Sequence, residues 1–201
     1  MSPEPIPARA ARASAAMLCA MALTVLAVPA HALRFVNWNV LNYPGTTAAT
    51  RNPLYRTVLA PLQPDVLITC EMVSQTGADQ FLANLNVMEP GQWAASGFQN
   101  GGDTAQELYY KPAKLQLLGQ WAFYPNPANL LRFVNVYRLK LVGYPADQGE
   151  FRVYGLHLKA STGFEAQRGA ECTGLRDSLN AMPPGTHALV CGDYNFYTAL
   201  E

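Results

Sequence analysis

The sequence carries no surplus of either charge: 14 Lys and Arg stand against 14 Asp and Glu in 201 residues, and charged residues make up only 14 % of the chain. A protein that holds nucleic acid by broad phosphate neutralisation presents a basic face. This composition announces none, although nucleic acid stays open as a substrate. There is no C-x-x-C, no pair of histidines at ligand spacing and only 3 His in all, which excludes the common zinc sites. No G-x-S-x-G is present, so the α/β-hydrolase nucleophile elbow is absent. No G-x-x-x-x-G-K-[ST] is present either, which excludes a P-loop. Residues 33–201 hold no internal repeat, low-complexity tract or Pro/Gly-rich linker. With 50 % hydrophobic residues the chain is a folding sequence, and its length suits one ordinary domain.

The N-terminus reads as a targeting segment. Arg9 and Arg12 precede an apolar run from Ala15 to Val28, and Ala30-His31-Ala32 has the small-x-small form of a secretory cleavage site. The run is short and rich in alanine for a membrane span, which needs about 20 apolar residues, and an uncleaved anchor is the alternative reading. It also continues well past Cys19, which excludes a lipoprotein reading through that cysteine. The expectation is a signal peptide over residues 1–32, cleavage after Ala32, and a secreted or periplasmic domain over 33–201 with a net charge of about −1. Export places Cys70, Cys172 and Cys191 in an oxidising compartment, yet their number is odd and their spacing matches no disulfide scaffold. Cys70 and Cys191 sit in apolar runs, and Cys172 shares a helical stripe with Leu175, Leu179 and Met182, so all three are expected to pack as small hydrophobes.

Periodicity predicts a strand over Leu33–Leu41, a helix over Pro53–Gln63 with Leu54, Val58 and Leu62 on its apolar face, and a buried-type strand over Asp65–Glu71. A short helix follows over Asp79–Val87, through Phe81, Leu82 and Leu85. The pattern then turns to β, with strands over Trp93–Phe98, Glu107–Lys111, Leu115–Phe123, Leu130–Val142 and Glu150–His157 between Gly-, Pro- and Asn-containing turns. The longest helix spans Phe164–Met182, and a last strand over His187–Cys191 delivers Gly192-Asp193-Tyr194-Asn195. These elements make one mixed α/β unit.

Four polar residues stand at or just past the ends of apolar strands, where open α/β sheets place their ligands. They are Asn39, Glu71, His157 and Asp193, with Asn195 close behind. Two carboxylates and two amides offer hard oxygen ligands suited to Mg²⁺ or a similar ion such as Mn²⁺ or Ca²⁺, which keeps several waters and needs one or two protein carboxylates. Glu107, a charge inside a strand pattern, is expected to face solvent, and Arg56 and Arg168 are read as surface residues, with anion contact as the alternative.

Five runs carry a resemblance. They are Leu33 to Asn42 (LRFVNWNVLN), Pro64 to Glu71 (PDVLITCE), Leu108 to Pro112 (LYYKP), Tyr154 to Leu158 (YGLHL) and Val190 to Asn195 (VCGDYN). In this order they resemble the endonuclease/exonuclease/phosphatase superfamily, which includes deoxyribonuclease I, neutral sphingomyelinases and inositol-polyphosphate phosphatases. His157-Leu-Lys-Ala-Ser-Thr-Gly followed by Glu165-Ala-Gln-Arg168 is similar to secreted bacterial members. The resemblance implies an α/β fold of two stacked, mainly antiparallel sheets flanked by helices, the deoxyribonuclease I-like sandwich. It implies a divalent-metal-dependent phosphoester hydrolase acting on nucleic acid, a phospholipid head group or a sugar phosphate. Glu71 would be the principal metal carboxylate and Asn39 would help hold the metal or phosphate. Asp193 and Asn195 would position water and phosphoryl oxygens, and His157 would sit beside the phosphate. Lys159, on the strand parity of His157, is a weaker substrate contact.

The sequence departs from the family at two places. Cys70 stands where the family commonly has Gln. The family's closing Ser-Asp-His has no counterpart before Glu201, so the expectation is a C-terminally incomplete enzyme, lacking its last strands and inactive as this chain. The alternative is a non-catalytic exported binding or scaffold domain that has kept the fold.

Overall fold

Alternation of side chains along eight strands sorts the residues between three cores, and this sorting places the strand ends that matter. The structure, a computed structural model, describes residues 32–145 and 148–198; the expected leader lies outside them but for Ala32. In chain order the elements are β1 (Phe35–Tyr43), α1 (Ala48–Leu62), β2 (Val66–Met72), α2 (Gln75–Met88), β3 (Ala94–Ala95), β4 (Ala105–Tyr110), β5 (Leu115–Phe123), β6 (Val134–Leu141), β7 (Glu150–His157), α3 (Glu165–Asn180) and β8 (His187–Asp193). One sheet has the order β1-β2-β4-β3 and the other β5-β6-β7-β8. The β1–β2 and β7–β8 pairs are parallel and the remaining pairings antiparallel, so both sheets are mixed and mainly antiparallel, as expected.

Val66 and Ile68 of β2 and Leu108 of β4 pack against Tyr137 and Leu139 of β6 and Val153 of β7, filling the space between the sheets. Their neighbours in sequence, Leu67 and Tyr109, point the other way, onto Tyr55 and Leu59 of α1 and Phe81 and Leu85 of α2. On the far side Val136, Tyr154 and Leu156 meet Leu175 of α3, with Cys172, Leu179 and Met182 packed beside it. This is the period of two expected for strands with both faces covered. Each Leu, Ile or Phe fully buried here is worth roughly 1.5–3 kcal/mol over an exposed one. The cysteines behave as expected: Cys70, Cys172 and Cys191 are free thiols, and burial pushes Cys70 and Cys191 up to about 12.

Several expectations need correction. Helix α1 is present, but Leu54, Val58 and Leu62 are 63, 46 and 46 % exposed, while Tyr55 and Leu59 face inward. The aromatic rings decide the face: Tyr55 packs edge-on against Trp38, Tyr43 and Phe81. The helix also begins at Ala48, well before Pro53, which lies inside it. Helix α2 begins at Gln75, where the Ser74 hydroxyl accepts the Gly77 N–H as an N-cap. The strand expected over Trp93–Phe98 shrinks to Ala94–Ala95, and β6 starts at Val134 rather than Leu130.

Glu107 does not face solvent. It is 0 % exposed, on β4 opposite Thr69, and its Oε1 accepts the Ser96 hydroxyl at 2.8 Å and the Gly97 N–H at 2.9 Å. Burial pushes this carboxyl up to about 7, the hydrogen bonds from Ser96 and Gly97 pulling the other way. An acid whose folded pKa lies above its ordinary 4.5 binds its proton more tightly when folded. Its contribution is therefore present at low pH and lost as pH rises between those two values. The wild type should be more stable at pH 5 than at pH 8, and Glu107→Gln should remove roughly 3 kcal/mol of that difference. The Gln oxygen still accepts both donors. Urea melts of both proteins at both pH values are the check, and identical pH dependence would refute the assignment.

Candidate active site

The site is built where the two parallel strand pairs end side by side. Along β1, Phe35, Asn37 and Asn39 share one face, on which Phe35 packs against the core between the sheets, and Asn39 is the last of them before the strand becomes irregular. The register of β1–β2 slips between Asn39 and Tyr43, and that of β2–β4 between Thr69 and Met72. At these slips Leu41, Asn42 and Glu71 take positive φ angles of 51°, 47° and 63°. Non-glycine residues rarely adopt this backbone, and it tends to collect at functional sites. Arg51 of α1 holds the turn. Its Nη1 donates to the Val40 and Leu41 carbonyls at 2.6 and 3.0 Å, and its Nη2 donates to the Pro44 carbonyl at 3.0 Å. The Asn42 N–H is thereby aimed at Glu71 Oε2, 2.9 Å away.

In the second sheet, β7 and β8 run in parallel register, so their last residues, His157 and Asp193, lie side by side. Gly192 makes this approach possible. It has φ +150°, and a Cβ there would fall 2.0 Å from the Leu156 carbonyl oxygen, so no side chain fits before Asp193. The Leu158 N–H donates to the Asp193 carbonyl at 2.9 Å, and the Asn195 N–H caps Asp193 Oδ1 at 3.0 Å.

The two sheets meet at one amide. Asn39 Nδ2 donates to Glu71 Oε1 at 2.9 Å and to Asp193 Oδ2 at 3.0 Å, while its Oδ1 accepts the Leu41 N–H at 2.9 Å. His157 Nε2 lies 3.9 Å from the same two carboxylate oxygens. The His157 side chain is 3 % exposed, that of Glu71 16 % and that of Asp193 33 %, so the site opens toward solvent past the carboxylates. Burial and then the Arg132 guanidinium hold the His157 imidazole below its ordinary pKa, against the pull of Asp193, Glu71 and Asp103. The ring is thus neutral near neutral pH, with a buried Nδ1 that meets no hydrogen-bond partner among the described residues.

The structure thus brings together Asn39, Glu71, His157 and Asp193, with Asn195 donating through its Nδ2 to the Leu158 carbonyl at 3.0 Å. Lys159 lies just beyond, its Nζ 4.2 Å from the centre of the Phe164 ring. Arg168 is not the expected surface residue: it is 1 % exposed, packed under the turn that follows β7. Arg56 is half-buried and donates to Asn84 Oδ1, away from the site. Arg132 and Asp103 were not singled out by the sequence. Arg132 donates to Asp103 Oδ2 and, through Nη1, to the Leu158 carbonyl at 3.0 Å, the oxygen that also receives Asn195. Neither this pair nor Arg51 belongs to a motif or periodic stripe, and only the folded backbone shows what they grip.

No protein-family model matches the sequence, and no curated protein matches it. Solved structures do match. D. rerio TDP2 complexed with a single-strand DNA product superposes with a TM-score of 0.65 at 16 % identity, covering 83 % of this chain and 62 % of that one. A mannosyl-6-phosphatase from Bacteroides thetaiotaomicron gives 0.62 at 18 % identity, covering 82 % and 66 %. An endonuclease/exonuclease/phosphatase family protein from the same organism gives 0.61 at 17 % identity, covering 81 % and 63 %. The chain spans less than two thirds of the length of each of the three. Two mixed four-stranded sheets with helices on their outer faces, superposing on these structures over four fifths of the chain, give this chain the deoxyribonuclease I-like fold.

Proposed function

We propose that the protein is a secreted, divalent-metal-dependent phosphoesterase that hydrolyses a phosphodiester. The observation that carries this reading is the convergence of Glu71, Asp193, Asn39 and His157 at one end of the sandwich, with one amide holding both carboxylates. Structural neighbours that include TDP2 with a DNA product and a mannosyl-6-phosphatase support phosphoester chemistry on this fold. The substrate class is a phosphoester of nucleic acid, a phospholipid head group or a sugar phosphate. Export rests on Arg9, Arg12, the apolar run to Val28 and Ala30-His31-Ala32; no helix among the described residues is long and apolar enough to cross a membrane.

The donor set fits a hard divalent cation. Among the described residues no three His, Cys, Asp or Glu side chains form a ready cage. An Mg²⁺-type ion needs none, because it binds through one or two carboxylates and keeps its waters. Glu71 would hold it, its carboxylate fixed by Asn39 and the Asn42 N–H. When bound, such an ion supplies Lewis-acid stabilisation of charge on a phosphoryl oxygen. The remaining steps fall to the chain itself. Asp193, aligned by the Asn39 amide and the Asn195 N–H, can orient a water and accept its proton. Asn195 can direct its remaining side-chain N–H at a phosphoryl oxygen. The neutral His157 can donate from a ring nitrogen to the charge that develops as water attacks phosphorus.

Hydrolysis of an aryl phosphodiester by the full-length parent protein, with Mg²⁺, Mn²⁺ or Ca²⁺ and with chelator, is the primary test; turnover indifferent to metal in every case would overturn the proposal. Glu71→Gln replaces an anionic ligand with a neutral one, so metal affinity by calorimetry and turnover should fall together, turnover by roughly 10²-fold or more. His157→Ala should lower turnover by roughly 10²–10⁴-fold. Wild-type turnover in that variant would reduce His157 to a packing residue.

A further inference from the structure

Helix α3 buries two charged side chains, Arg168 at 1 % and Glu171 at 4 % exposure, on a face where helices of this kind carry apolar residues. Burying a guanidinium is costly unless its donors are satisfied. Here one nitrogen is spent on backbone, and Nη2 lies 3.5 Å from Glu165 Oε1. Arg168 Nη1 donates to the Lys159 carbonyl at 3.0 Å and the Ser161 carbonyl at 2.8 Å, and the guanidinium lies 5.1 Å from the centre of the Tyr197 ring. Glu171 Oε2 accepts the Lys159 N–H at 2.9 Å. The Tyr197 hydroxyl accepts the Ser161 N–H at 2.9 Å. The turn after β7 is therefore gripped from outside by α3, and Ser161 is held there at a φ of 82°, a conformation that a free serine avoids.

The inner side of the same turn grips the site. The Leu158 carbonyl accepts Asn195 Nδ2, and the Leu158 N–H donates to the Asp193 carbonyl. Asn195 itself sits at a φ of 51°, between Asp193 and the Tyr197 that stacks on Arg168. We infer that Arg168 is a positioning residue for Asn195: by fixing the Lys159 and Ser161 carbonyls and the Tyr197 ring, it fixes both ends of the hydrogen bond that aims the Asn195 amide. A lysine does not reproduce this, because a point ammonium has neither the planar face set over the Tyr197 ring nor the second nitrogen that pairs with Glu165. The inference rests on the phosphoesterase reading only for the consequence in turnover, and the geometric part stands apart from it.

The test compares Arg168→Ala and Arg168→Lys with Leu175→Ala, which removes an apolar side chain from the same helix but none of the hydrogen bonds that α3 makes to the turn. The direct readout is the Asn195 side-chain amide in ¹⁵N-labelled full chain. In wild type and Leu175→Ala it should be protected from hydrogen exchange, and in both Arg168 variants the protection should be lost. In turnover of the full-length parent, the Arg168 variants should lose roughly 10–100-fold in kcat with KM nearly unchanged, and low concentrations of free guanidinium ion should restore part of kcat in Arg168→Ala. Leu175→Ala should melt lower yet keep its kcat. Should Arg168→Ala not fold, Arg168→Lys carries the same comparison. Persistent protection of Asn195 in an Arg168 variant, or equal loss in Leu175→Ala, would overturn the inference. Loss of protection in a protein whose wild type hydrolyses no phosphoester would sink the proposed function and leave the positioning role standing.

Discussion

One primary amide holds this site together. Asn39 Nδ2 donates to a carboxylate of its own sheet and to one of the opposite sheet, at 2.9 and 3.0 Å. Two carboxylates converging on a single point repel each other, the more so where protein displaces water. The amide hydrogens lie between them and offset that repulsion without neutralising either group. Everything else in the fold serves the condition that these three side chains reach the same place. Glu71 must leave β2 at its irregular end, and Asp193 must follow a glycine, because only Gly192 lets β8 run so close to the Leu156 carbonyl.

The two halves of the site are built alike. The parallel pairs β1–β2 and β7–β8 bring strand ends together, and a parallel pair needs a crossover between its strands. Helices α1 and α3 are those crossovers, and each returns one arginine to the first strand of its pair, at its irregular end or in the turn just past it. Arg51 grips the carbonyls of Val40, Leu41 and Pro44 past Asn39, and Arg168 grips those of Lys159 and Ser161 past His157. A strand end that must leave the ladder exposes carbonyls with no partner, and a guanidinium with several donors in one plane can satisfy them together.

What the sequence made legible follows from this physics. Asn39, Glu71, His157 and Asp193 could be read because each is a polar residue ending an apolar, alternating run, and alternation fixes which face it takes. The elements were likewise legible, with their ends shifted: Ser74 caps α2 earlier than the apolar stripe begins, and β3 pairs over only two alanines. Faces and buried charges were not legible. Leu54, Val58 and Leu62 form as good a helical stripe as Tyr55 and Leu59, and only the neighbouring rings of Trp38, Tyr43 and Phe81 choose between them. Glu107 and Arg168 read as solvent-facing because a charge is normally costly to bury, and the groups that offset the cost lie 10 and 11 residues away for Glu107 and 7 and 9 for Arg168.

The bond from Asn39 to Asp193 spans 154 residues, from β1 to β8. Contacts so distant in the chain close late, since their loop entropy is repaid only after the intervening structure has formed. Neither sheet alone contains both carboxylates, so no folding species with the sheets undocked can present the pair. Any ligand that bridges Glu71 and Asp193 therefore favours the docked sandwich over every partly assembled form, and its binding energy becomes a latch on the last step of assembly.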